Sequence, residues 1–210
     1  MCEIAAVPVE SGKVNADAAL SSLINPGHPI PPECRGIHHL SDRDVSKAPT
    51  LERAFGGPFA RLRDGDPLAA HNMEFDFQFI EPHVQPDAVR LCTYRCSRHL
   101  YPDAPNYKNQ TLRYYLDVNP PAKYLAKLAP HRALYDAVCT AYILEKMISE
   151  RSVEDLIKLT SLPVLLKTVS FGQHRGSLWE DVPQGYLRWI LGKDFDMDVV
   201  HTARHFYRGA

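Results

Sequence analysis

Three short segments hold residues whose side chains could do chemistry together. His71-Asn72-Met73-Glu74-Phe75-Asp76 closes a short apolar stretch, and His131-Arg132-Ala133-Leu134-Tyr135-Asp136 opens a long amphipathic one. Phe171-Gly172-Gln173-His174-Arg175-Gly176 is a turn bracketed by glycines. Carboxylates hold hard divalent cations through oxygen, and a histidine beside such a site is suited to take a proton from water. At about 100° per residue, five steps put His131 and Asp136 roughly 140° apart on an ideal helix. They cannot share a helical face. The pair makes chemical sense if His131 sits in the loop before the helix and reaches back, with Asp136 fixed in an early turn. A plainer reading exists for each: a surface histidine, and an acid favoured by the dipole of a helix N-terminus. Asp76 follows a strand by a few residues, where α/β active sites lie, and a solvated helix position explains it equally well.

Other candidates are weaker. Tyr107 and Lys108 lie in a proline-containing loop, where an aromatic ring could stack on a base and an ammonium could meet a phosphate; a solvated loop is the alternative. His174 and Arg175 sit between glycines, which permit close backbone approach, or simply make a tight turn with a surface arginine. Trp179 and Trp189 are assigned to the core. Cys92, Cys96 and His99 have zinc-like spacing without an evident fourth ligand, and buried cysteine behaves as a small hydrophobe. His38-His39 is given a structural role near the substrate entrance.

The elements that must position these residues follow from periodicity. Ile4–Val9 reads as a strand, Ser11-Gly12 as a turn, and Lys13–Ile24 as further extended chain. Asn25–Pro32, with four prolines and one glycine, must be a loop. Helical turns are expected around Pro32–Leu40 and Pro49–Phe55, with Ser41 and Asp42 as caps. A strand at Leu68–His71 leads to a helix capped by Asn72 and running to Ile80. Val89–Thr93 is a strand, Tyr94–Leu100 a helix, and Asn109–Leu116 a helix with Leu112, Tyr115 and Leu116 on one side. The clearest helix is Arg132–Ser149, with Ala133, Leu134, Ala137, Ala141, Leu144 and Ile148 at three- and four-residue spacing. Beyond it come a helix at Val153–Thr160, a β-rich stretch at Val164–Phe171, and helices at Tyr186–Leu191 and Met197–Tyr207. Alternating strands and helices imply a layered α/β fold, with residues 1–150 as the main domain and 151–210 as a small C-terminal module.

Composition bounds the function. The 210 residues are 45% hydrophobic and 23% charged, ordinary for a globular chain, and the formal net charge of −1 argues against coating nucleic acid by bulk charge. No apolar run approaches the roughly 18 residues of a membrane span, and no basic-then-apolar leader opens the chain. Five cysteines cannot all pair within the chain, and their scatter suggests a reducing, cytoplasmic setting.

The order Ala-His-Asn-x-x-Phe-Asp (residues 70–76) and then His-Arg-Ala-Leu-Tyr-Asp (131–136) resembles the second and third motifs of the DnaQ-like 3′→5′ exonucleases, and the His-x4-Asp spacing marks their DEDDh branch. Glu3-Ile4-Ala5 matches that family's second strand. Phe-Gly-x-His-Arg-Gly (171–176), Gly-Tyr-Leu-Arg-Trp (185–189) and Thr-Ala-Arg-His-Phe-Tyr (202–207) resemble its exonuclease X branch. The resemblance implies a ribonuclease-H-like mixed sheet flanked by helices, and hydrolysis of DNA from 3′ ends in repair or recombination. It implies two Mg²⁺ ions, with Mn²⁺ as a substitute, that stabilise the attacking and leaving oxygens. It makes Asp76 and Asp136 metal ligands and His131 the general base. His71, Asn72, Tyr107, Lys108, His174 and Arg175 become candidate contacts to nucleic acid, and a homodimer falls within the family's range. The alternatives are an RNA-trimming exonuclease and a nucleic-acid-binding protein without activity.

One departure bears on all of this. The family's first two acids lie in an Asp-x-Glu motif on a central first strand, and no such motif precedes Glu3 here. The expectation is therefore that the natural protein starts upstream, and that the chain as it stands, short of one strand and two carboxylates, folds poorly or lacks activity. Glu3 belongs to the second strand and is not promoted to a ligand.

Overall fold

A computed structural model describes residues 1–63, 65–126 and 128–209. The chain divides into two compact units, Met1–Thr160 and Ser161–Ala210. In the first, β1 (Glu3–Ala6), β2 (Val9–Glu10), β3 (Lys13–Val14) and β4 (Leu20–Leu23) form two antiparallel ladders, β1 with β4 and β2 with β3. Ser11 and Gly12 turn the β2–β3 hairpin with φ of 51° and 75°, the positive pair that a two-residue hairpin loop needs. Helices α1 (Pro32–His38), α2 (Asp42–Val45) and α3 (Leu51–Phe55) follow. Ser41 makes a reciprocal capping box with Asp44 at the start of α2, as expected of a serine placed there.

Strand β5 (Leu68–Ala70) pairs in parallel with β6 (Arg90–Cys92), with Ala70 opposite Cys92. A parallel pair needs a crossover, and α4 (Met73–Ile80) supplies it. β6 runs directly into α5 (Thr93–Leu100), followed by α6 (Asn109–Tyr115), α7 (Ala122–Leu125), α8 (Ala133–Ile148) and α9 (Val153–Ser161). The architecture is mixed α/β, with the described strands in three small two-stranded ladders flanked by helices. Leu112, Ile143, Met147 and Leu156 are fully buried in one core cluster, where truncation to alanine costs about 2–5 kcal/mol. The buried side of α8 is wider than its spacing suggests. Tyr135, Val138, Cys139 and Ile143 are buried too, because strand β1 and helix α6 both pack on it.

The division between units falls later than the expected 150/151, and α9 explains the shift. Leu156 lies in the first unit's core, and the Thr160 hydroxyl accepts the N–H of Cys92 at 2.9 Å, tying α9 to β6. The second unit contains α10 (Gln184–Leu191) and α11 (Met197–Phe206), packed around fully buried Trp179, Leu187 and Ile190. Val164–Phe171 is not a strand. Its N–H groups find side chains of α11 instead: Val164 donates to Asp198 at 2.9 Å and Leu166 to Thr202 at 3.0 Å. The stretch keeps one isolated bridge, Thr168 to Leu178, among the described residues. Among them, too, no helix is long and apolar enough to cross a membrane.

Candidate active site

The N-terminus of α8 is built as its sequence requires. His131 lies in the loop with φ of 68°, Arg132 is the extended N-cap, and Asp136 sits in the first turn. The loop folds back on the helix, so that the His131 backbone N–H bonds the Asp136 carboxylate and its ring charge favours the ionised form. Burial outweighs both and pushes the Asp136 carboxyl upward.

Glu3 anchors this turn from β1. Its carboxylate accepts Arg132 Nε at 3.0 Å, Arg132 Nη2 at 2.8 Å and the Ala133 N–H at 2.9 Å. The bidentate pair is charge-assisted and geometrically fixed, and the third bond satisfies one of the orphan donors of α8. The Glu3 side chain is only 10% exposed. All this occupies both oxygens of Glu3, a physical reason for leaving it out of any ligand set. At the other end of α8, Glu145 accepts the Val14 N–H at 2.7 Å and Lys13 Nζ at 3.2 Å. The long helix is thus pinned to the N-terminal strands at both ends.

Asp76 comes from the first turns of α4. Burial first, and the negative charge of Asp136 after it, raise its carboxyl to about 6. The structure therefore brings together two half-buried carboxylates from helices 60 positions apart in sequence, with His131 beside one of them. Phe75, next to Asp76, is 58% exposed, a feature that a helical pattern does not single out.

His71, Asn72, Tyr107 and Lys108 line one open cleft of about 540 Å³ with Tyr94 and Asn106. His71 is held by both ring nitrogens: Nε2 is 2.8 Å from the Tyr107 carbonyl and Nδ1 is 3.0 Å from the Thr93 hydroxyl. A carbonyl can only accept, so Nε2 carries the proton; the single hydroxyl proton of Thr93 lies between Nδ1 at 3.0 Å and the Ala70 carbonyl at 3.3 Å. Burial lowers the His71 pKa, consistent with a neutral ring that fixes the Tyr107 loop to the end of β5. Asn72 differs from expectation. It precedes α4 in the left-handed region, φ 79°, and its side chain makes no capping bond; asparagine is among the few residues that tolerate this conformation. The Lys108 N–H is held by the Asn106 side chain at 3.1 Å.

His174 and Arg175 belong to the second unit. A short 3₁₀ turn, Gly172–His174, carries them, with the His174 ring edge-on to Tyr186 at 4.6 Å. Gly172 has φ of 61°, and a Cβ there would lie 2.4 Å from the Tyr186 hydroxyl, so the turn requires glycine twice over. Trp179 is buried, but Trp189 is 46% exposed and is not the core residue expected. Cys92 and Cys96 are buried in the first unit; Cys96 donates to the Leu156 carbonyl at 3.2 Å. His38 is half-buried near Glu3 and Arg132; burial lowers its pKa and the Arg132 charge adds to this.

The Glu3–Arg132 pair beside the site is a contact that sequence reasoning did not foresee. Its two members stand 129 residues apart, and no local pattern signals such a pair.

Comparison with known proteins identifies the family. The RNase T exonuclease family model matches residues 1–144. Exodeoxyribonuclease 10 of Escherichia coli strain K12 is 31% identical over 214 aligned positions, which span 97% of this chain and 90% of that one. A DNA polymerase III subunit epsilon-like protein of Rhodobacter capsulatus is 30% identical over 66% of this chain and 20% of its own length. The solved structure of exonuclease X in complex with 5′-overhanging duplex DNA superposes with a TM-score of 0.62 at 30% identity, covering 77% of this chain and 91% of that one.

Proposed function

This chain belongs to the exonuclease family, and we propose that it removes nucleotides from the 3′ ends of DNA, with Asp76 and Asp136 as cation ligands and His131 as the general base. The observation that carries the proposal is the pairing of Asp76 with Asp136. The Asp136 charge raises the proton affinity of half-buried Asp76, an arrangement that a divalent cation relieves. The relatives' names supply the substrate, DNA.

The oxygen donors of Asp76 and Asp136 suit Mg²⁺ or Mn²⁺ by their chemistry. Among the described residues no group of three or more His, Cys, Asp or Glu side chains is placed to hold an ion, so water and substrate phosphate would have to supply the remaining ligands. Two carboxylates hold one ion; a second would draw its ligands mainly from phosphate and water, since Glu3 is committed to Arg132 and Ala133. When bound, divalent ions stabilise the charge on the attacking and leaving oxygens.

The chain's own residues do the rest. His131 takes the proton of the attacking water, and the Glu3–Arg132 pair holds the His131 loop against α8. The cleft of Asn72, Tyr107 and Lys108 receives the terminal nucleotide, with Tyr107 offering a ring face and Lys108 a charge for phosphate. His71 acts there through Tyr107, as a positioning residue. Exposed Phe75 offers a second apolar surface beside Asp76. His174 and Arg175, in the second unit, supply further contacts to nucleic acid. The protein acts as a cytoplasmic enzyme of DNA repair or recombination.

The test is nucleotide release from single-stranded oligonucleotides labelled at either end, with Mg²⁺ present. The proposal expects mononucleotide release from the 3′ end, abolished by Asp136→Asn. Binding of DNA without any release would turn the reading into that of a binding protein. Equal release from an RNA strand would widen the substrate class.

A further inference from the structure

The second unit carries an exposed aromatic and basic surface that extends beyond His174 and Arg175, the two of its residues that the nuclease reading takes up. Five rings form a continuous series. His174 meets Tyr186 at 4.6 Å, Tyr186 meets Trp189 at 5.1 Å, Trp189 meets Phe195 at 5.6 Å, and Phe195 stacks on Phe171 at 4.8 Å. Trp189 is 46% exposed, while Leu187 and Ile190 of the same helix are fully buried. The tryptophan is therefore held by ring contacts on its inner side and left open on its outer side. A ring fixed in this way loses little conformational freedom when a ligand stacks on it.

Arginines lie next to it in the chain and in the cleft alongside. Arg188 precedes Trp189 on α10 and lines an open cleft of about 320 Å³ with Gly185, Tyr207 and Arg208. Gly185 stands one helical turn before Trp189, so the cleft and the exposed ring adjoin along the helix. Arg175 follows His174, whose ring begins the aromatic series. None of Arg175, Arg188 and Arg208 pairs with an acid among the described residues. Two of the unit's acids are turned to structural use: Asp198 is buried and accepts the Val164 N–H, and Asp196 caps α11.

We propose that this surface is a second binding site for single-stranded nucleic acid, in which Trp189 stacks on a base and Arg188 and Arg208 hold adjacent phosphates. The chemistry selects the ligand. Open π-faces beside a backbone of anions occur in a single strand, whereas a duplex keeps its faces stacked. The site would keep the strand tethered to the protein between cleavage events. It draws its biological sense from the nuclease reading, but its test requires no hydrolysis.

The experiment uses the full chain in EDTA with an oligo-dT of about a dozen nucleotides, within the range bound by small single-strand-binding folds. The chain has only two tryptophans, and Trp179 is buried, so quenching of intrinsic fluorescence reports on Trp189. Anisotropy of a labelled strand follows total binding in parallel. Saturable quenching is expected, lost in Trp189→Phe while the anisotropy change persists. Trp189→Ala should weaken binding about 10-fold, the scale of one base–aromatic stack. Arg188→Gln and Arg208→Gln should each lower the slope of log affinity against log salt by roughly 0.7, one single-strand phosphate contact. Saturated anisotropy with unchanged fluorescence overturns the proposal, as does quenching that survives in Trp189→Phe or the absence of any binding. Because no metal is present, failure here leaves the 3′-release assay untouched, and failure of that assay leaves this binding measurement valid.

Discussion

The two units use polar residues in opposite ways. In the first, several of the chemistry-bearing side chains are partly withdrawn from solvent and held by named partners: Glu3 by Arg132 and Ala133, His71 by Thr93 and Tyr107, Asp136 by the loop at His131. His131, Asn72 and Lys108 stay exposed. In the second, the buried groups are mainly apolar, around Trp179, and the arginines and Trp189 face outward. Hydrolysis requires charges fixed before substrate arrives; retention of a strand requires accessible faces and charges. The contrast teaches where substitutions should act on rate and where on affinity.

The largest effect expected from breaking the first unit's arrangement is on catalysis. His131→Ala should lower nucleotide release by about 100- to 10,000-fold, the range for loss of a general base, with little change in strand affinity measured in EDTA. If release is unchanged, the proton goes elsewhere. Next comes Glu3→Gln, which weakens a mostly buried, charge-assisted pair and its bond to the α8 N-terminus. A loss of about 2 kcal/mol in denaturant unfolding is expected. A loss near zero would mean that solvent already screens the pair.

Asp76→Asn should do the reverse in metal-free protein. The Asp76 carboxyl is raised to about 6 in the folded state, above its ordinary range, so the folded protein carries an unfavourable charge above that pH. The neutral amide removes this cost, and stability at pH 7.5 should rise by about 1–2 kcal/mol, discounted for partial exposure. The sign follows from linkage: the gain is full above pH 6, shrinks as pH falls, and vanishes below about pH 4, where both states of the wild type are protonated. Saturating Mg²⁺ should stabilise the wild type and not the variant. The smallest effect is that of Lys108→Gln, which should reduce the salt slope of strand binding by roughly 0.7, one phosphate contact.

Much of the fold is legible from residue spacing. Helices α6 and α8 follow from apolar periodicity, and Ser41 announces its capping box. The three segments singled out for chemistry include both members of the acid pair, because Asp76 ends a strand–helix turn and Asp136 begins a long helix. Other features lie beyond local pattern. The extended run Val164–Phe171 looks like a strand, yet its Val164 and Leu166 N–H groups are taken by Asp198 and Thr202, more than 30 residues on. Tyr115 has the helical spacing of Leu112 but is 45% exposed, since period alone does not fix how wide a helix face is covered. Trp189 has the composition of a core residue and lies at its edge. The Glu3–Arg132 pair, joining the first strand to the long helix, is tertiary in origin and leaves no mark on either segment alone.

Mn²⁺ binding followed by electron paramagnetic resonance tests the central claim, that Asp76 and Asp136 form one cation site. The wild-type chain should bind Mn²⁺ saturably, and Asp76→Asn and Asp136→Asn should each weaken that binding by at least about 10-fold, one order of magnitude or 1.4 kcal/mol. Binding that is unchanged in both variants would contradict the account.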